Sequence, residues 1–215
     1  FDNLPRPDFK LIAAGKQHGV RIGGIFQSRL DKLNLQIRQS IQDGRFGKII
    51  GVHGHLPWYR KQSYYEGDHG SWKGTWDMDG GGSLMNQGVH TVDLLQWLVG
   101  PVESVMGMFG IFGHDIEAED QSVGLLRFAN GAIGTLYTTT CCYPGYRQRV
   151  TIYGSEGSVV KDEGALQDWK VQGDVNRECR PGDVHRRIAQ PHPLQRHQRP
   201  DQSGSVKHSV HETCR

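Results

Sequence analysis

The feature that most narrows the fold is a run of short strand-like segments in the second half of the chain, joined by turns too short for a crossover. Val102–Phe112, Gln121–Phe128, Ala132–Cys141, Arg147–Tyr153 and Ser158–Lys161 each have the pattern of a half-buried strand. Asn130-Gly131 is a strong tight-hairpin signal, and Ser155-Glu156-Gly157 turns the last pair. Parallel neighbours need a connection of about a dozen residues or more, so these spacings predict antiparallel pairing. Ahead of the strands, Ser83–Val99 has the clearest helical pattern, with Ser83 placed as N-cap and Gly100-Pro101 as terminator. Leu84, Val92, Leu95 and Val99 of that helix can face a sheet. The fold class expected is α/β (α+β): an open, mostly antiparallel sheet backed by helices.

Earlier segments fit less tightly. Lys10–His18 reads as the end of a helix stopped at Gly19, Val20–Phe26 as a short strand, Asn34–Asp43 as a helix and Lys48–His55 as a strand. Residues 57–79 read as a loop, but one rich in Trp and Tyr. A formal net charge of +2 gives no global field that would attract nucleic acid or a membrane surface. No apolar run approaches the roughly 20 residues that cross a bilayer. The four cysteines show neither CxxC spacing nor a disulfide framework, so a reducing, cytoplasmic setting is expected.

Composition changes near residue 176. From Asn176 to Arg215 there is no Phe, Tyr or Trp, while five of the eleven histidines and four of the nine prolines fall there. Such a stretch offers too little apolar surface to offset the entropy of ordering. Disorder and out-of-frame translation both explain it. Its histidines lack the paired spacing of a zinc site.

Chemistry concentrates on the Ser83–Val99 helix. Asn86, His90, Asp93 and Trp97 fall at i, i+4, i+7 and i+11, one stripe of the surface. Histidine titrates near neutrality and can take a proton from a hydroxyl as hydride leaves the same carbon. Asp93 could orient the ring, and Asn86 could hold a substrate oxygen without adding charge. Gly80-Gly81-Gly82 would let the backbone approach a ligand, with the helix N–H groups aimed at it. An ordinary solvent-facing helix carries the same pattern, so spacing alone leaves both readings open. A metal hydrolase built on His53-x-His55 with His90 and Asp93 is a further arrangement the spacing permits. Tyr64, Tyr65, Trp72 and Trp76 could wall a sugar site or simply pack the long loop.

Several separated segments decide between these. Trp72-Lys73-Gly74-Thr75-Trp76 and Asp79-Gly80-Gly81-Gly82-Ser83-Leu84-Met85-Asn86-Gln87-Gly88-Val89-His90-Thr91-Val92-Asp93-Leu94-Leu95 resemble the signature of the Gfo/Idh/MocA oxidoreductases, the family of glucose–fructose oxidoreductase and inositol dehydrogenase. Phe26-Gln27-Ser28-Arg29, Gly44-Arg45-Phe46-Gly47-Lys48 and Gly154-Ser155-Glu156-Gly157-Ser158 are similar to further segments of it, in the expected order. The resemblance covers about residues 9–172. It implies a Rossmann domain for NAD or NADP followed by a catalytic α/β domain whose open sheet often mediates oligomerisation, acting on sugars, polyols or related CH–OH substrates. It implies His90 as proton acceptor, with Asn86 where an aspartate is common and Asp93 as the remaining acid. Gln27 and Arg29 match a segment near the nicotinamide, and Trp76, Gln87 and Tyr65 are the substrate-binding candidates.

The Gly-rich pyrophosphate turn and the family's Glu-Lys-Pro motif do not occur in these residues. The expectation is therefore a chain that starts inside the nucleotide-binding domain and binds NAD or NADP weakly by itself. Its boundaries are 1–28 for a remnant of the Rossmann domain, 29–175 for the catalytic domain and 176–215 for the tail. A non-catalytic module that keeps the sheet for dimerisation is the alternative. Expected partners are a small sugar or polyol and a second copy through the open sheet.

Overall fold

A computed structural model of the chain describes residues 7–174, with side chains from residue 11 onward. The tail expected from residue 176 lies outside the described residues, as do Cys179 and Cys214. Two helices lead into the sheet: α1 (Pro7–His18) and α2 (Lys32–Gln42), separated by a 3-10 turn at Gln27–Leu30. Asp31 caps α2 by accepting from the Asn34 amide, an N-cap not foreseen in the sequence pattern. Val20–Phe26 is not a strand. No strand lies beside it among the described residues, so its amides have no ladder, and Val20 and Ile25 stay exposed.

The sheet has seven strands among the described residues, in the order β2-β3-β4-β1-β5-β6-β7. They are β1 (Ile49–Pro57), β2 (Val102–Gly110), β3 (Gln121–Phe128), β4 (Ile133–Thr139), β5 (Arg149–Gly154), β6 (Gly157–Asp162) and β7 (Ala165–Val171). β7 extends beyond the strands read from the sequence. Every neighbouring pair is antiparallel except β1–β4, which is parallel because the whole helical segment and the β2–β3 hairpin lie between them in the chain. The Asn130-Gly131 turn forms as expected: Gly131 takes a positive φ of 87°, and Asn130 Oδ1 accepts from the Ala132 amide.

One face of the sheet is covered. Leu94, Leu95 and Leu98 of α3 (Val89–Val99) and Ile37 of α2 meet Val52, Phe128, Val150 and Ile152 in one buried cluster. Gly54 of β1 lets α3 come close, since a Cβ there would press on Thr91 and Leu95. Lys161 of β6 is buried under α2 and donates to Asn34 Oδ1 at 2.6 Å; burial lowers its pKa from the usual lysine value. Asn34 in turn donates to the Ser28 carbonyl at 2.7 Å, which fixes the 3-10 turn onto the domain.

The opposite face is bare of helices among the described residues. His53 and His55 of β1 point to this side, with His53 on Thr135 Oγ1 and the His55 ring stacked on Tyr137. No group of three or more His, Cys, Asp or Glu side chains is placed to hold a metal ion among the described residues. No helix among them is long and apolar enough to cross a membrane.

Candidate active site

The expected single helix from Ser83 divides in two: a π-helical stretch, Ser83–Gly88, runs into α3. The wider coil has a local cause. The carboxylate of Glu119, buried in the β2–β3 connection, accepts from the Gly82 amide at 2.9 Å and the Leu84 amide at 2.8 Å, while its carbonyl accepts from the Ser83 amide. Ser83 is thus not the N-cap; its hydroxyl is buried against Thr138 Oγ1 at 3.0 Å. The glycines before it serve this closeness, because a Cβ on Gly82 would land on the Glu119 backbone. The expectation that the first helical N–H groups point at a ligand is therefore corrected: Glu119 holds them.

The wider turn spreads Asn86 and Gln87 toward one polar cluster. Asn86 donates to Asp79 Oδ1 at 2.7 Å, and its Oδ1 accepts from the Tyr64 hydroxyl at 3.4 Å and from Gln87. Gln87 also donates to the Tyr64 oxygen at 2.9 Å and accepts from Arg60 at 3.1 Å. Asp79 accepts from the Gly74 amide, which pins the Gly-rich loop to the helix. Tyr64 is flanked by cations, with the Lys73 ammonium 3.9 Å from its ring centre and the Arg60 guanidinium at 5.4 Å.

His90 follows one turn later. Its ring meets the edge of Phe26 at 6.1 Å, and its Nδ1 is buried with no hydrogen-bond partner among the described residues. Leaving such an atom unsatisfied costs about 1–3 kcal/mol, a cost tolerated where a group has another use. Asp93 does not orient this ring. Its side chain is 9% exposed, and both oxygens accept from Arg29, from Nε at 2.9 Å and Nη2 at 2.5 Å. The fork-to-fork geometry explains the pairing. Arg29 is thereby committed to α3, and Gln27 beside it is exposed. Trp97 packs under Arg38, 4.3 Å from its guanidinium carbon, so the stripe read from spacing is a set of separate contacts.

Of the substrate-binding candidates, Gln87 sits in the cluster. Tyr65 faces inward: it is buried and donates to Thr140 Oγ1 at 2.8 Å, and burial raises its pKa above the usual tyrosine value. The tyrosine that meets Asn86 and Gln87 is its neighbour, Tyr64. Trp76 is half-exposed, held by its amide on Glu117. Arg60, Asp79 and Glu119 are the residues that sequence reasoning missed. So is the pair of His114 and Asp120: His114 reaches Asp120 at 3.0 Å through Nδ1 and the Arg60 carbonyl at 2.9 Å through Nε2. Arg60 and Glu119 reach partners 27 and 35 positions away, where local spacing carries no signal, and Asp79, His114 and Asp120 meet nearer partners from loops that have no period to read. Burial also raises the Cys141 thiol, in keeping with an inert packing role.

Comparison with known proteins fits this geometry. The GFO/IDH/MocA C-terminal domain matches residues 34–160. Among solved structures, the WlbA dehydrogenase from Bordetella pertussis, in complex with NADH and UDP-GlcNAcA, is 37% identical and superposes with a TM-score of 0.70 over 85% of this chain and 48% of that one. Myo-inositol 2-dehydrogenase from Thermotoga maritima is 22% identical over 162 residues, 71% of this chain and 44% of its own length. Levoglucosan dehydrogenase from Pseudarthrobacter phenanthrenivorans is 24% identical over 148 residues, 57% of this chain and 37% of its own. The chain spans less than half the length of these relatives. With the family's domain matched over more than half of its residues, and with the glycine-led helix set against the open sheet, the chain belongs to the GFO/IDH/MocA family.

Proposed function

We propose that residues 29–174 form the catalytic and substrate-binding part of an NAD(P)-dependent oxidoreductase that transfers hydride to or from a sugar-type CH–OH group, with residues 7–28 closing the nucleotide-binding part. The observation that carries this reading is His90. It stands on the helix beside the Asn86–Gln87–Tyr64 cluster, with Nδ1 sealed and unpartnered. Sealing Nδ1 leaves Nε2 as the nitrogen for a substrate hydroxyl, with the ring hydrogen on Nδ1. His90 then accepts the hydroxyl proton as the C–H bond breaks. Asn86, Gln87 and Tyr64 are mutually hydrogen-bonded, so they present fixed donors and acceptors to the other sugar hydroxyls. Asp79 holds Asn86 in place, which suits an amide where a carboxylate would add charge.

Nicotinamide, when bound, supplies the two-electron chemistry. The residues fit it in that Phe26 and His90 form one wall with an aromatic edge and a proton acceptor. Gln27 is exposed in that segment and is the side chain we assign to the nicotinamide, while Arg29 contributes by locking the segment to Asp93. The relatives named above include dehydrogenases of inositol and levoglucosan and one held with a nucleotide-linked sugar acid, which supports a sugar or polyol substrate.

The partner on the bare sheet face is a second copy of the chain. Met106, Met108, Leu125 and Ile133 expose an apolar surface there, and β2 ends the sheet with an edge that no strand of the described residues pairs.

The test is reduction of NAD+ and NADP+ with a panel of polyols, aldoses and sugar acids, compared with His90→Gln. Loss of 10²- to 10⁴-fold in kcat, on the order expected for a general base, supports the reading. An unchanged rate in His90→Gln sinks it.

A further inference from the structure

Most arginines here that contact a side chain of opposite charge do so as pairs: Arg29 with Asp93, Arg45 with Asp174 and Arg149 with Asp162. Arg60 is different. Its backbone is fixed on both sides, the amide donating to the Thr140 carbonyl at 2.7 Å and the carbonyl accepting from His114. Its guanidinium lies 5.0 Å from the Trp58 ring centre and 5.4 Å from that of Tyr64. Every hydrogen-bond acceptor it meets is neutral: the Tyr59 carbonyl and Gln87 Oε1, both at 3.1 Å. No carboxylate forms an ion pair with it among the described residues.

A half-buried cation held this firmly and left without a counterion is a receptor for one. Guanidinium carries five N–H donors in a planar fork, and only two are used here. The fork also lines a cleft of about 430 Å³ between Trp58–Arg60 and Pro144–Arg147. Arg147 adds a second cation with no ion-pair partner among the described residues, and Trp58 and Tyr146 give the cleft aromatic walls. Glu163 is the carboxylate of the lining, suited to accept from ligand hydroxyls. Through Gln87 the guanidinium is hydrogen-bonded to the π-helical stretch that runs into α3, the helix that carries His90.

We infer that this cleft is an oxyanion subsite, and that the substrate is an anionic sugar whose carboxylate or phosphate is held by Arg60 and Arg147 while another part of the same molecule meets His90. The inference rests on the reading of the His90 cluster as the place where a sugar hydroxyl reacts. Both oxyanions have the planar or trigonal oxygen set that a guanidinium fork matches, and with Glu163 set against one of the two cations, the lining still has one positive charge for an anion to balance.

Calorimetric titration of the chain with uridine diphosphate, glucuronate and glucose tests it without cofactor or turnover. At least one anion should bind more tightly than glucose and weaken with added salt. Arg60→Gln and Arg147→Gln should each weaken that anion on the order of tenfold or more, the range for a lost charge-assisted hydrogen bond. Arg147 is exposed, and beyond the cleft its charge acts on Asp162 alone among the groups with a shifted pKa, so its variant keeps the test sound if Arg60→Gln misfolds; a thermal melt checks both. Binding of uridine diphosphate alone identifies phosphate as the group, and binding of glucuronate alone identifies carboxylate. Anions that bind no better than glucose, or that ignore Arg147→Gln, overturn the subsite. A chain that oxidises neutral polyols through His90 but binds neither anion would lose this inference and keep the oxidoreductase.

Discussion

The two faces of one sheet are built from the same strands, yet they follow different rules. Toward α2 and α3, Val52, Leu56, Leu126, Phe128 and Leu136 are buried and close-packed, and the site grows out of that packing at one end. On the other side, β-strand alternation brings out Met106, Met108, Leu125 and Ile133 with no helix of the described residues over them; Met108 is 81% exposed and Met106 73%. Strand β2 goes further, since Val105 and Phe109, which alternate to the helix side, are exposed as well. The difference teaches that apolar content in a strand reports a surface to be covered, while the chain's own helices cover only part of it.

The largest effects should come from the covered face. Leu94→Ala removes a side chain that is 2% exposed in the centre of the cluster and should cost about 2–5 kcal/mol in a denaturant melt. Met108→Ser on the bare face should change the stability of the monomer by no more than about 0.5 kcal/mol. Equal losses for the two would break the comparison.

Next is the join between the faces and the site. Glu119→Gln keeps one acceptor oxygen but removes the charge that holds the Gly82 and Leu84 amides. A loss of about 1–2 kcal/mol is expected, the range of a helix cap. The substrate KM should rise with it, because the π-helical stretch positions Asn86 and Gln87. A stability loss with unchanged KM would show that the cap serves folding alone.

On the bare face itself, Met106→Lys should leave the melt nearly unchanged and abolish self-association, read by sedimentation velocity. In the proposed pairing of two copies, each would bring its lysine into the shared apolar surface, where burying the charges is costly. A species of unchanged mass in Met106→Lys would remove this face as the contact.

How far the sequence could be read follows from the range of each interaction. The strands, the Asn130-Gly131 turn and the covering helix depend on neighbours a few residues apart, so periodicity reveals them. Val20–Phe26 has a strand's composition without a partner to pair with, and composition says nothing of partners. In the candidate site, one motif carries Asn86, Gln87 and His90, so their closeness in space is readable from their spacing. Asp93 was misread because its partner, Arg29, lies 64 positions away. The π-helical turn was invisible because Glu119, which imposes it, is 35 positions from Leu84. Tyr65 and Tyr64 have the same residue type and adjacent numbers; only the 3-10 turn at Gln62–Tyr65 sends one inward and the other to the site.

The smallest expected effect lies where the bare face is polar. Arg149 of β5 sits opposite Asp162 of β6 and donates from Nε to Oδ1 at 2.6 Å and from Nη2 to Oδ2 at 3.0 Å. The hydrogen bonds and charge of Arg149 hold the Asp162 carboxyl below its usual pKa, against a smaller opposing effect of burial. A carboxyl with a depressed folded-state pKa binds fewer protons folded than unfolded, so its contribution is present above the ordinary aspartate value near 3.8 and fades as pH falls through the folded value. Because Arg149 is half-exposed, solvent screens the pair, and its worth is a few tenths of a kcal/mol rather than the full Coulomb energy. Asp162→Asn should therefore flatten the acid limb of the stability–pH curve slightly and leave the neutral limb lower by that amount, with the gap closing in high salt. If the gap instead reaches about 2 kcal/mol at neutral pH, this pair is shielded from water, and something covers the bare face even at its polar end.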